Sequence, residues 1–110
     1  MSKRSRPPVL LKLTGECLDQ PPILASIADQ LRHVCRRGTP VAVVVGGGNF
    51  IRGRDSDHNG RVAADRAGMV ATVINGIRLA GMLSRRMPVC HLAAFGITGI
   101  VERYTVERAR

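Results

Sequence analysis

Apolar residues fall along this chain in two patterns, short continuous runs and longer stretches with helical spacing. "VLLKLTG" at 9–15 is a short run broken by one lysine, and it predicts a strand. In "DQPPILASIADQLRHVCRRG", 19–38, Ile23, Ile27, Leu31 and Val34 recur at helical spacing, with Leu24, Ala28 and Cys35 beside them. After Asp19 or Gln20 as the residue that opens this helix, Pro21 and Pro22 suit its first turn. Arg36 and Arg37 suit the negative end of the helix dipole, and Gly38 suits the position just past it. "PVAVVV", 40–45, is continuously apolar, the pattern of a central parallel strand covered on both faces.

Residues 46–60 are glycine, asparagine and charge, which predicts a loop with a short helical turn after Gly48. A long helix is predicted over 61–86, "RVAADRAGMVATVINGIRLAGMLSRR". Gly68, Gly76 and Gly81 lower its propensity, so close helix packing is the expected compensation. "MPVCHLAA", 87–94, predicts a third strand, 95–104 a loop, and "TVERAR" the start of another helix. Strands alternating with helices imply βαβ units and a parallel sheet, an α/β fold. Ligands in such sheets bind beyond the carboxyl ends of the strands, and Lys12 to Gly15 and Gly46 to Arg52 lie at two such ends. Residues 1–8 read as a flexible basic tail.

Composition narrows the function classes. The 110 residues suffice for one small domain, and aromatics at 3% leave the core to aliphatic side chains. No apolar run approaches the roughly 20 residues of a membrane span, and the basic N-terminus lacks a signal peptide's apolar region, so the expected location is the cytoplasm. The net charge of +9 favours an anionic ligand. It is carried almost wholly by arginine, and Lys12 is the one lysine beyond the tail. Nucleic acid is disfavoured as a partner, because the arginines are dispersed and stacking aromatics are scarce. Cys17, Cys35 and Cys90 are odd in number and far apart, which argues against a disulfide framework or a zinc site. Cys35 and Cys90 are expected to be buried small apolar residues.

"VAVVVGGGNFIRGR", 41–54, carries the chemistry. Consecutive glycines let successive amides point into one concavity and let an anion approach the backbone. Arg52 and Arg54 would add mobile charge. The spacing is neither a dinucleotide-binding G-x-G-x-x-G nor a P-loop, and a tight turn without ligand is the plain alternative. Lys12, flanked by Leu10, Leu11 and Leu13, needs a counter-charge or a route to water. It is either a phosphate clamp or an edge residue that snorkels. Asp65 is expected in the first turn of the long helix, where an acid is favoured regardless of function.

"LLKLTGE", "VVVGGGNFIRG", "DRAGMVATVING" and "HLAAFGITGIVERYTVERA" together resemble, in order and spacing, the bacterial uridylate (UMP) kinases of the amino-acid kinase family. The resemblance runs from about residue 9 onward, with "KLTGE" in place of the family's "KLSGE". It implies a three-layer sandwich around a parallel sheet, of which this chain matches the N-terminal half. It also implies phosphoryl transfer from ATP, with Mg2+, to UMP. Lys12, Leu13, Thr14 and Gly15 would hold the ATP phosphates, with Lys12 also the catalytic cation on the transferred group. Gly48 and Arg52 would reach ATP, and Gly47 and Asp65 would bind UMP. The glycine triplet would lie between the two phosphorylated ligands, where any side chain would take the space they share. No protein ligand to a metal is implied, and a homo-oligomer, hexameric in the family, is expected.

Two departures matter. The family continues for about as many residues again, carrying the base pocket and further acceptor contacts, so this chain by itself is expected to be inactive. "GECLDQPPILASI" is shorter than the family's equivalent, whose glycine-containing insert is tied to GTP regulation, which argues against that regulation here. A non-catalytic relative binding a nucleotide or another oxyanion is the competing reading.

Overall fold

The computed structural model describes residues 6–48 and 60–109. β1 (Val9–Leu13) and β2 (Val41–Val45) pair in parallel, in register from Val9 opposite Val41 to Leu13 opposite Val45. Parallel neighbours need a crossover, and the chain supplies one as a 3-10 helix (Gly15–Asp19) followed by α1 (Pro21–Arg36). Gln20 opens α1 without a side-chain cap, and two prolines occupy its first positions, where a missing N–H costs nothing. α1 stops because Gly38 adopts a φ of 87°, which a side chain would resist.

Strand alternation sends Leu11, Leu13, Val41, Val43 and Val45 to one side of the sheet, where α1 and α2 (Arg61–Leu83) pack. Leu13, Leu18, Ala28, Leu31, Leu79 and Leu83 form the buried centre of that core. Each leucine buried there contributes about 1.5–3 kcal/mol of transfer free energy. The opposite face carries Leu10, Lys12, Ala42 and Val44 and stays open, with Leu10 70% and Val44 50% exposed. The expectation that β2 is covered on both faces therefore fails among the described residues. Its two sides are chemically alike, which is why the sequence pattern cannot tell the packed side from the open one.

The third strand is shorter than expected and lies elsewhere. α2 ends at Leu83, and a turn follows in which the Arg86 and Met87 N–H groups still donate to the Leu83 carbonyl. Pro88 then lacks an N–H for a ladder. Only Leu92–Ala93 forms β3, paired in parallel with β4 (Glu102–Arg103), which falls in the expected loop. Among the described residues these make a second two-stranded sheet, separate from β1 and β2. α3 (Val106–Ala109) follows. An open apolar groove of about 590 Å³ runs between β2 and the segment 87–95, against α2. Without a strand around it, Cys90 is exposed, and Cys35 is only partly buried. Both correct the expectation of burial.

Of the α2 glycines, Gly76 is the one whose Cβ position is occupied among the described residues, by the His91 ring. Among the described residues a Cβ at Gly68 or Gly81 would meet nothing within 4 Å. Among the described residues no helix is long and apolar enough to cross a membrane.

Candidate functional site

The carboxyl ends of β1 and β2 run side by side. The Gly46 N–H donates to the Leu13 carbonyl at 3.1 Å, carrying the ladder one residue beyond β2. A Cβ built on Gly46 would lie 3.9 Å from the Gly15 nitrogen, so the two segments that follow the strands are neighbours. Lys12, Thr14, Gly15, Gly46 and Gly47 are thus brought together. Segments 12–15 and 46–48 carry one cation and no carboxylate.

The individual residues differ in what they offer. Lys12 is exposed on the open face of the sheet, opposite Val44, so its ammonium has a direct route to water. That removes the burial cost that a lysine among leucines suggests. Leu13 is 8% exposed and its side chain belongs to the core, so only its backbone faces the loops. Thr14 is exposed and extended, with its hydroxyl 3.5 Å from Cys17 Sγ. Gly15 is buried where the 3-10 helix begins.

Gly47 has a structural reason to be glycine. Its Cβ would lie 2.9 Å from Ala71 Cβ, 3.1 Å from the Gly68 carbonyl oxygen and 3.1 Å from the Thr72 nitrogen. The loop therefore rests directly on the α2 backbone, before any ligand is considered. Asp65 lies three residues before Gly68 on the same helix, at the same end of the molecule. It is not in the first turn, which holds no acid, so the dipole does not account for it. Its partner is Arg61 at 3.9 Å, an exposed pair that contributes little. Arg52, Arg54 and the expected helical turn after Gly48 lie outside the described residues.

Sequence reasoning missed Asn75 and Arg78. Asn75 has no solvent exposure, and its Nδ2 donates to the Gly46 carbonyl at 2.8 Å. Arg78 donates to Asn75 Oδ1 at 3.2 Å, to the Leu18 carbonyl at 3.2 Å and to Asp19 Oδ1 at 3.3 Å. The available signal is the series Ala71, Asn75, Leu79, Leu83, a polar residue within the buried stripe of a helix. A side chain so placed must be hydrogen-bonded. Among the described residues no group of three or more His, Cys, Asp or Glu side chains is placed to hold a metal ion.

Residues 7–108 match the amino acid kinase family. The chain is 38% identical over 111 residues to a uridylate kinase of Methylococcus capsulatus, covering 92% of this chain and 46% of that protein. It is 39% identical over 107 residues to a uridylate kinase of Bradyrhizobium sp., covering 88% and 45%. Among solved structures, the UMP kinase from Bacillus anthracis superposes with a TM-score of 0.82 at 33% identity, covering 94% of this chain and 48% of that one. The chain thus spans about half the length of the relatives it matches. By fold, by sequence and by the paired strand ends, this chain belongs to the amino acid kinase family.

Proposed function

We propose that this chain forms the phosphate-binding half of a uridylate kinase site, moving the γ-phosphoryl group of ATP to UMP to give UDP for pyrimidine nucleotide synthesis in the cytoplasm. The observation that carries the reading is the adjacency of two glycine-bearing strand ends, one with the exposed Lys12, in a chain with uridylate kinase relatives. A phosphate oxygen of UMP attacks the γ-phosphorus, the bond to the β-phosphate oxygen breaks, and ADP leaves. Such a transfer needs positioning and charge neutralisation more than a protein base. Lys12 neutralises the moving group, and Leu13, Thr14 and Gly15 offer backbone and hydroxyl donors to ATP. Gly48 and Arg52 complete the ATP side, while Gly47 and Asp65 hold UMP. Magnesium arrives with ATP.

The open sheet face at Leu10 and Val44 supports the view that a second half-domain packs there and supplies the base pocket. Val70, Ile74 and Ile77, at 47%, 42% and 42% exposure on neighbouring positions of α2, support a homo-oligomeric contact. The shortened segment between β1 and α1 favours a second reading, a non-catalytic oxyanion-binding relative.

The test is complementation. The 110-residue chain is mixed with the uncovered second half of the Bacillus anthracis UMP kinase, and UMP-dependent ADP release is followed. Turnover by the mixture but not by either part is the expected result. A stable complex that binds ATP without UMP-dependent turnover would favour the non-catalytic reading.

A further inference from the structure

We infer that Asn75 and Arg78 are positioning residues that hold the glycine loop and the loop after β1 in one fixed relation. The inference rests on the phosphate-site reading above and names what aims that site. It starts from the peptide unit between Gly46 and Gly47. A trans peptide is planar, and its C=O and N–H point in opposite directions. Asn75 grips the Gly46 carbonyl at 2.8 Å from inside α2, so the Gly47 N–H is directed away from Asn75. Among the described residues that N–H has no hydrogen-bond partner, as an amide reserved for an anion requires. Glycine by itself would not hold this orientation, because it accepts many backbone conformations.

Asn75 is held in turn. Arg78 donates to its Oδ1 at 3.2 Å, which fixes the amide so that Nδ2 faces Gly46. The same guanidinium reaches the Leu18 carbonyl and the Asp19 carboxylate at the far end of the 3-10 helix. One arginine on α2, 60 residues beyond Leu18 in sequence, therefore ties the segment following Lys12, through Asn75, to the segment following Val45. The planar fork of Arg presents its donors to several acceptors in a fixed geometry, whereas a lysine ammonium is a compact point charge on a flexible stem.

The experiment titrates inorganic phosphate, then ATP, into the 15N-labelled 110-residue chain and follows the Gly46, Gly47 and Gly48 amides. The variants are Arg78→Met, Arg78→Lys and Asn75→Asp. Arg78→Met is expected to shift the free Gly47 amide and weaken phosphate about fivefold, the weight of one ordinary hydrogen bond. Arg78→Lys should recover only part of this. Asn75→Asp, which replaces the donor with an oxygen facing the Gly46 carbonyl, should weaken phosphate at least as much. Because Asn75 is fully buried, Arg78→Met, whose native side chain is 39% exposed, serves as the variant expected to fold. An Arg78→Met protein with the wild-type Gly47 shift and phosphate affinity within about twofold would overturn the inference, as would full rescue by lysine, since the fork is its basis. A wild-type chain whose loop amides ignore both phosphate and ATP would instead overturn the phosphate-site reading, and the relay with it.

Discussion

His91 lies against the bare α-carbon of Gly76. A Cβ built there would fall 2.9 Å from His91 Cε1 and 3.2 Å from Cδ2, with Nε2 closer still. This contact fastens the segment that carries β3 to α2. Two effects of Gly76→Ala then oppose each other. Alanine gains about 1 kcal/mol in helix propensity. Forcing the ring aside costs about 1–3 kcal/mol as overpacking. Three ring atoms are involved, so the cost should win and the melting temperature should fall by a few degrees. Gly76→Ala with His91→Ala should recover the loss. A Gly76→Ala protein melting above wild type would show that the ring moves freely.

The same histidine predicts a pH dependence. Burial without a compensating charge disfavours its protonated form, so its pKa in the folded chain lies below the ordinary 6.5. The unfolded chain then binds more protons than the folded one in this range, and stability rises with pH. Its contribution is complete above the unfolded value and is lost as pH falls below about 6.5 toward the folded value. Urea midpoints at pH 7.5 and 5.5 should show the drop, and His91→Gln should flatten part of it. An unchanged slope in His91→Gln would assign the drop to other groups.

Gly46 and Gly47 should respond differently to alanine, although they are adjacent. At Gly47 the new methyl meets Ala71 and two backbone atoms of α2, none of which can move alone. A loss of about 2 kcal/mol is expected, within the range for overpacked sites. At Gly46 the nearest atom among the described residues is the Gly15 nitrogen at 3.9 Å, ordinary contact, so stability should change by no more than about 0.5 kcal/mol. The Gly46 methyl would nonetheless stand between the two loops and should weaken phosphate binding. Thermal melts and a phosphate titration on both variants separate packing from ligand space. Equal destabilisation by the two substitutions would refute the distinction.

These contrasts mark what the sequence makes legible. Helical spacing located α1, a long stretch of small residues located α2, and apolar runs located β1 and β2, because each is a local signal repeated over several residues, while Gly38 marked the end of α1. The five residues of the 3-10 helix and the two of β4 are too short to carry a period. The glycine triplet pointed to a close approach, yet at Gly47 the approaching surface in the structure is α2, some 20 residues onward. The open face of β2 was illegible because valine marks a packed face and an unpartnered one alike. Asn75 shows the converse, since a polar residue in a buried stripe announces a hydrogen bond without naming its acceptor.

Lys12 remains the residue on which the proposed chemistry turns, and its exposure makes the test clean. Because the ammonium already reaches water, Lys12→Met relieves no buried charge, and stability should stay within about 0.5 kcal/mol of wild type. If the lysine meets a phosphate, the same change removes a charge-assisted hydrogen bond and should cost about 1.5–3 kcal/mol of ATP affinity. The two expectations are read in one experiment, thermal melts with and without ATP. Wild type should show an ATP-induced rise, and Lys12→Met should start from the same temperature and rise much less. Lys12→Arg keeps the charge but not the compact ammonium, and should fall between them. In the complemented two-part protein, turnover should drop more than UMP affinity, because the charge acts on the transferred group. A Lys12→Met chain that keeps both its ATP-induced shift and its turnover would reduce Lys12 to a solvated residue on the open face of β1.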